Sequence, residues 1–400
     1  MTDALRSRVI ARIESERESL VALSLGLHGD PEVAFQEHRA SERVASFLRE
    51  RGFEVERPYG GLETAFRATA AGRGDGPTVA ILAEYDALPD IGHACGHNLI
   101  AMIGAAAAVG VREVLGHLDG RVSAIGTPAE EGGGGKVALV RAGAFADVAA
   151  AMMVHPSSRT ISGRTSLASN RVEVEFHGKA AHAAAQPDRG INALDGLIQT
   201  FNAVNAMRQQ LRPDARVHGI ITAGGSAANI IPEYAAGKFS VRARDRLYQQ
   251  EVLRRFVACA EGAAAATGTT LKVNVNENSG YENMVPSTPL TDRWAEHMRA
   301  LGVEVMQPVD DERMGSTDMG NVSQIVPAAH PYIAIAPDGT PGHSTAFRDA
   351  AGTPEAHANA IAAAKALALT AVDLLADPAL LARARAEFEE RQRSGLLRGR

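Results

Sequence analysis

His93, Cys95 and His97 stand at alternate positions in the stretch Ala80 to Leu99, AILAEYDALPDIGHACGHNL. A soft thiolate beside imidazoles, delivered at the end of an apolar run, is a donor set that suits a zinc-like ion. Alternate residues of an extended segment point the same way, so all three can reach inward. Cys95 reads as a metal ligand or as a nucleophile, and a nucleophile would also use a histidine. His97 reads as a ligand, and His93 as a residue that orients the loop by hydrogen bonding. Further along, Glu130 and Glu131 stand side by side in TPAEEGGGGK. Neighbouring side chains diverge, so one carboxylate can hold a cation while the other takes a proton from an attacking water. This pair fits metal chemistry better than thiol chemistry. Glu131 is assigned as ligand and Glu130 as general base. His155, before Pro156, and His343, in PGHSTAF, are structural histidines on local grounds and ligands in this company. His117, His218, His297 and His357 lack a supporting carboxylate and read as structural.

Such residues need a frame. Short apolar runs at Val79–Ala83, Val122–Ile125 and Ala149–Val154 alternate with helical stretches near 97–117 and 135–142. That order predicts an α/β fold with a mostly parallel sheet and helices on its faces. Each run delivers polar residues just past its apolar end: Asp86, then Glu130 and Glu131, then His155. In open sheets of this kind, sites form beyond the carboxyl ends of the strands. Residues 4–26 and 37–51 predict two covering helices, and Ala101–Val111 a short buried one. From Asn170 the pattern changes. Strict alternation in RVEVEFH, a helix near 190–211, strands near 215–222 and 236–243, a helix near 247–267 and a last alternating run at 271–275 give the order β-α-β-β-α-β. This order predicts an inserted ferredoxin-like α+β domain. The expected boundaries are residues 1–169 plus 286–400 for the site-bearing domain and 170–285 for the insert. A strand at His330–Ala336 and helices at 288–301, 353–376 and 378–393 close the chain. The last, rich in charge, is expected to be a solvated tail.

Bulk properties narrow the function. With 400 residues, two domains are natural. Lys plus Arg number 41 against 47 acidic residues, and aromatics are 4%, so neither charge nor stacking surface favours nucleic acid. Two cysteines, Cys95 and Cys259, give no disulfide framework and suggest a reducing compartment. The charged start, MTDALRSRVIARIESERESL, lacks the apolar core of a secretion signal, and no charge-free apolar run is expected to span a bilayer. The expectation is a cytoplasmic protein with no membrane partner.

Taken together, EYDALP, GHACGHN, GTPAEEGGGGK, the His-Pro at 155, GKAAHAAAQP with GINALDG, and GSTDMGNVS resemble the metal-dependent amidohydrolase and peptidase family of aminoacylases, hippurate hydrolase and auxin-conjugate hydrolases. The resemblance runs from about residue 30 to about residue 375 and is strongest to the branch of p-aminobenzoyl-glutamate hydrolase and β-alanyl-lysine dipeptidases. It implies one or two divalent ions, Zn²⁺ or Mn²⁺, on Cys95, His97, Glu131, His155 and His343, with Glu130 as base and Asp86 supporting the metal site. It implies that the insert is a lid through which a homodimer forms. His182, otherwise a loop histidine, would reach across that dimer to an oxyanion. Asn229 and Arg242 would hold the free carboxylate of a small-molecule substrate; without the resemblance Arg242 reads as a strand-face ion pair. Asp318 either shapes the acyl pocket or caps a helix. The sequence departs from many relatives at Asn98, where they have Asp, and at Glu84, where distant ones have His. The implied activity is cleavage of an N-acyl amino acid or dipeptide amide, of β-alanyl or aromatic acyl type. The rival readings are a simple aminoacylase, a cysteine-nucleophile hydrolase, and a non-catalytic metal-binding or regulatory protein.

Overall fold

The structure is a computed structural model that describes residues 3–276, 280–309 and 315–397. The chain divides into two compact units. The first is Met1–Thr165, Met284–Met314 and Asp318–Arg400; the second is Ser166–Asn283 with Gly315–Thr317.

The first unit is built on a six-stranded mixed sheet. Its centre is Thr78–Ala83, TVAILA, buried at every residue. A strand buried on both faces cannot alternate, which is why the run is continuously apolar. Arg121–Gly126 and Val148–Met152 pair with it in parallel on either side, and Ala328–Ala329 adds in parallel beyond Val148–Met152. Phe66–Ala71 lies antiparallel to Arg121–Gly126, and Glu54–Glu56 antiparallel to Phe66–Ala71, so one edge of the sheet is antiparallel. Phe66–Ala71 is not foreseen by the sequence pattern; FRATAA is short and built of small residues, with little hydrophobic signal to show.

Helix His97–Val114 follows the central strand and packs on it. Gly104 permits that approach: a Cβ there would sit 2.9 Å from the Leu82 carbonyl oxygen. The helix and its 3-10 extension run to His117, the span expected from the sequence. With Pro354–Ala376 it is one of two helices among the described residues long and apolar enough to cross a membrane, yet 83% and 78% of their apolar stretches are buried inside the protein. Burial of that kind marks core helices. Pro354–Ala376 starts with Thr353 accepting from the Ala356 amide and with proline in the first turn.

Other elements differ from expectation for local reasons. The first helix is two, Asp3–Ser15 and Arg17–His28, broken where Glu16 turns its carboxylate to Arg51 (2.6 Å) and Ser19 (2.7 Å). His330–Ala336 is not one strand. After Ala328–Ala329 the chain passes Pro331 and leaves the main sheet, and Tyr332–Ala334 pairs in parallel with His155–Ser157 as a separate ribbon. The last helix, Pro378–Arg393, is not a solvated tail: Leu380, Ala384 and Phe388 are buried, and Glu387 takes the Thr288 amide.

The second unit is a four-stranded antiparallel sheet. In spatial order its strands are Thr270–Val275, Ala168–His177, Tyr234–Ala243 and Arg216–Ala223. Helices Ala193–Arg208 and Arg246–Thr267 pack on one face. Phe239 anchors them, with ring centroids 4.9 Å from Phe201 and 4.8 Å from Phe256, spacing that adds about 0.5–1.5 kcal/mol per pair beyond area burial. Asp245 caps the longer helix at the Tyr248 amide, and Gly268 ends it at φ 69°.

Candidate metal centre

Seven of the predicted site residues meet in the first unit, at the carboxyl ends of its parallel strands. Thr78–Ala83 leads to Asp86, then to Cys95 and His97 at the mouth of the long helix. Gly96 between them is left-handed (φ 77°), and a Cβ there would lie 2.8 Å from Pro156, so only glycine lets the loop close onto the next strand. Arg121–Gly126 leads to Glu130 and Glu131, and Val148–Met152 to His155. His343 comes from the loop before Thr345–Ala350, tied down by its amide to the Ala94 carbonyl at 3.0 Å.

Three overlapping groups of ligand atoms lie within 4.8 Å of one another: Cys95, His97 and His155; Cys95, Glu131 and His343; His97, Glu130 and Glu131. The geometry fixes what each ring presents. His97 Nδ1 faces Asp86 Oδ1 at 3.0 Å, so it donates to that carboxylate and turns Nε2 inward. His155 Nδ1 donates to its own neighbour's carbonyl, Pro156 O, at 2.7 Å, and its Nε2 lies 3.7 Å from Cys95 Sγ. His343 Nε2 is 3.2 Å from Glu131 Oε1. The other Asp86 oxygen accepts the Glu131 amide at 2.9 Å, so one carboxylate sets two ligands. Among the described residues His97 Nε2 is buried without a hydrogen-bond partner, 4.0 Å from Glu131 Oε1. Buried polar atoms are rarely left so. With a thiol, imidazoles and carboxylates around that nitrogen, these residues fit a divalent cation.

The electrostatics agree. Burial disfavours a charged His97, but the Asp86 and Glu84 carboxylates outweigh it and raise its pKa well above the usual value. Burial pushes His155 down to about 4. Burial, then the Glu84 and Glu131 charges, push Glu130 well above the carboxylate range. Burial also opposes ionisation of Glu131, but its contact with His343 holds it below that range. Burial and then Glu131 push the Cys95 thiol up. A thiol so placed is a poor nucleophile without a cation beside it.

Several residues that support the site carry no signal in the sequence. Glu37 is fully buried, and its Oε1 accepts the amides of Phe35 and Ala129, each at 2.9 Å. Both residues are left-handed at φ 61°, so Glu37 holds two strained turns, one of them directly before Glu130. His330 is buried edge-on to His155, ring centroids 5.6 Å apart. Asn98 ties the long helix to Ser24 Oγ (2.9 Å) and to the Ala351 carbonyl (3.0 Å). His93 stacks on His28 with centroids 6.4 Å apart and joins none of the three ligand groups. Asp318, at the start of Met319–Ser323, makes no side-chain cap there; its carboxylate goes to Lys136.

The remaining three predicted residues belong to the second unit. His182 is exposed, and its Nδ1 accepts the amides of Ala184 (3.3 Å) and Ala185 (3.2 Å). Its proton therefore sits on Nε2, which is free to donate. His182 pairs with Ile230 in an antiparallel bridge, next to Asn229, whose carbonyl takes the Ala183 amide. Arg242, on Tyr234–Ala243, is partly buried, donates to Ser240 Oγ at 3.1 Å, and makes no ion pair among the described residues. Burial, and then the Arg171 charge, lower its pKa.

The model of peptidase family M20/M25/M40 matches residues 80–370. An Xaa-Arg dipeptidase of Mus musculus is 41% identical over 97% of this chain and 93% of its own length. One of the subunits of the p-aminobenzoyl-glutamate hydrolase of Escherichia coli (strain K12) is 30% identical over 94% of this chain and 93% of its own. Among solved structures, a dinuclear metal-binding peptidase of Bacillus subtilis shares the fold, with a TM-score of 0.65 and 22% identity over 88% of this chain and 98% of its own.

Proposed function

Because the chain belongs to peptidase family M20/M25/M40 and is a hydrolase of peptide or amide bonds, we propose that it is a metal-dependent dipeptidase acting on dipeptides with a basic C-terminal residue. The observation that carries the metal reading is His97 Nε2, buried without a hydrogen-bond partner among the described residues, turned toward Cys95 and Glu131 and fixed from behind by Asp86. The likeness to Xaa-Arg dipeptidase over nearly the whole chain favours basic dipeptides over aromatic acyl-glutamates.

Cys95, His97, Glu131, His155 and His343 would hold the metal, with Asp86 orienting His97 and Glu131. Zn²⁺ suits the thiolate, and Mn²⁺ the carboxylates. The three overlapping groups of ligand atoms offer places for one or two ions. A bound divalent metal supplies Lewis-acid polarisation of the scissile carbonyl and a water of lowered pKa. Glu130 takes the proton of the attacking water and returns it to the leaving amine. Burial, then the Glu84 and Glu131 charges, favour its protonated form, which suits the return of the proton to the leaving amine. His182 donates from Nε2 to the oxyanion, acting from the partner subunit of a homodimer formed through the second unit, which serves as lid. Arg242, lacking an acidic partner among the described residues, and Asn229 bind the substrate's free carboxylate. The cytoplasm is the proposed location, consistent with two free cysteines.

The test is hydrolysis of Xaa-Arg and β-alanyl-lysine dipeptides, p-aminobenzoyl-glutamate and N-acetyl amino acids, with Zn²⁺ or Mn²⁺ and with a chelator. Basic dipeptides are expected to be cleaved fastest, and only with metal. Silence on every substrate, or full activity of Glu130→Ala, would overturn the mechanism. Activity that survives chelation would favour the thiol reading, which the 3.7 Å approach of Cys95 Sγ to His155 Nε2 keeps in contention.

A further inference from the structure

Beneath the ligands lies a chain of three charged residues in the first unit that the proposed reaction does not use. Glu84, Lys136 and Asp318 are all 0% exposed. Lys136 Nζ donates to Glu84 Oε1 at 2.5 Å and to Asp318 Oδ1 at 2.7 Å. The Lys136 amide donates to Asp318 Oδ2 at 2.9 Å. Asp318 thus grips the lysine at both its backbone and its side chain, and the lysine grips one oxygen of Glu84. The other oxygen, Oε2, is buried without a hydrogen-bond partner among the described residues and lies 3.4 Å from His97 Nε2, which also has none among them.

We infer that Glu84 is a further carboxylate of the metal centre, held by Lys136 and Asp318 so that Oε2 faces the cation bound at His97. This rests on the metal reading of the site. Burying an ion pair costs desolvation that its attraction seldom more than offsets. A purely structural role would also satisfy both carboxylate oxygens, because an orphaned buried acceptor is costly. Here one oxygen is satisfied by a clamped lysine and the other is presented to the ligand cluster. The clamp makes Glu84 one-handed: with Oε1 taken, it can face the cation only through Oε2. Asp86 orients His97 from the Nδ1 side and Glu84 closes the Nε2 side, so the ring is bracketed by carboxylates two residues apart on one strand end. This accounts for Glu84 where the sequence departs from a histidine: the position keeps a donor toward the site, and Lys136 is the neighbour that makes a carboxylate tolerable there.

The experiment measures affinity for Zn²⁺ alone, by competition with a chelator of known affinity, in stripped wild type, Glu84→Gln and the double variant Glu84→Gln/Lys136→Met. The double variant removes both charges of the pair and guards against a single variant that fails to fold. Urea unfolding read by fluorescence confirms the fold of each. Both variants are expected to bind Zn²⁺ about 10- to 100-fold more weakly than wild type. A folded variant of either kind with wild-type affinity overturns the inference and leaves the metal centre standing. A wild type that binds neither Zn²⁺ nor Mn²⁺ overturns the metal reading and this inference with it.

Discussion

Replacing Glu37 by glutamine tests how the site's second turn is held. Glu37 is fully buried, and Oε1 holds the amides of Phe35 and Ala129. Burial first, and the Asp86 carboxylate second, push its carboxyl up to about 7, against the pull of its amide donors and the Thr64 hydroxyl. An unfolded chain releases the same proton near 4.5. Between these values the folded protein keeps a proton that the unfolded chain has lost. Stability changes with pH as protons bound unfolded minus protons bound folded, which is negative here, so stability falls as pH rises through this window. Spread over about 2.5 pH units at about 1.36 kcal/mol each, the loss is on the order of 3 kcal/mol. Glutamine carries no such proton and keeps a carbonyl oxygen for the two amides. Glu37→Gln should therefore match wild type near pH 4.5 and exceed it by on the order of 3 kcal/mol at pH 8. The assay is urea unfolding of chelator-treated protein followed by the single tryptophan, Trp294, which is buried in the core of the first unit and reports on it alone. Wild-type and variant stabilities that stay parallel from pH 4.5 to pH 8 refute the reasoning.

Three further substitutions probe the centre itself. Asp86→Asn keeps one acceptor where two are used, and a hydrogen bond to a charged group is worth about 1.5–3 kcal/mol. Metal affinity by chelator competition should fall about 10- to 100-fold, and unchanged affinity would remove Asp86 from its supporting role. Glu130→Gln should lower kcat about 100- to 10,000-fold while Zn²⁺ binding stays near wild type, a split that a further metal ligand would not show. In Gly135→Ala the new Cβ would overlap the Pro128 carbonyl oxygen, forcing the turn that carries Glu130 and Glu131 to shift. A displacement of about 1 Å there costs about 100-fold in kcat/KM, so a fully active alanine variant would show that the turn is slack.

The parts of the site that can be read from the sequence are those written in short spans. Cys95 and His97 announce themselves as a thiol and an imidazole two residues apart after an apolar strand, although a left-handed Gly96, not an extended segment, brings them together, and Glu130 with Glu131 by adjacency after an apolar strand. His155 and His343 need that company to look like ligands. Lys136 is invisible because its partners are 52 and 182 residues away, and one lysine after four glycines carries no local signal. Glu37 acts on Ala129 across 92 residues in the same way. The fold shows the same division. The all-apolar TVAILA declares its burial, whereas Phe66–Ala71 has too little apolar surface to be seen. At His330–Ala336 the apolar run is real, but periodicity cannot say that it changes sheets at Pro331.

Strain explains why the remaining geometry escapes a reading by residue type. Among the described residues, four that are not glycine have positive φ: Phe35, Asp90, Ala129 and His343. Phe35 and Ala129 are the two turns that Glu37 holds. Ala129 sets the direction of Glu130, His343 is itself 3.2 Å from Glu131, and Asp90 lies in the loop between Asp86 and Cys95. A left-handed residue with a side chain costs on the order of 1–3 kcal/mol and persists only where its surroundings over-determine it. Here the surroundings are a fully buried carboxylate on two amides and, for His343, an amide anchored on Ala94. Glycine would relieve the strain at each position, but at His343 it would remove the ring as well. The ligands are thus held by conformations that no residue's own preference predicts, and the large buried core of the first unit supplies the stability that keeps them in place.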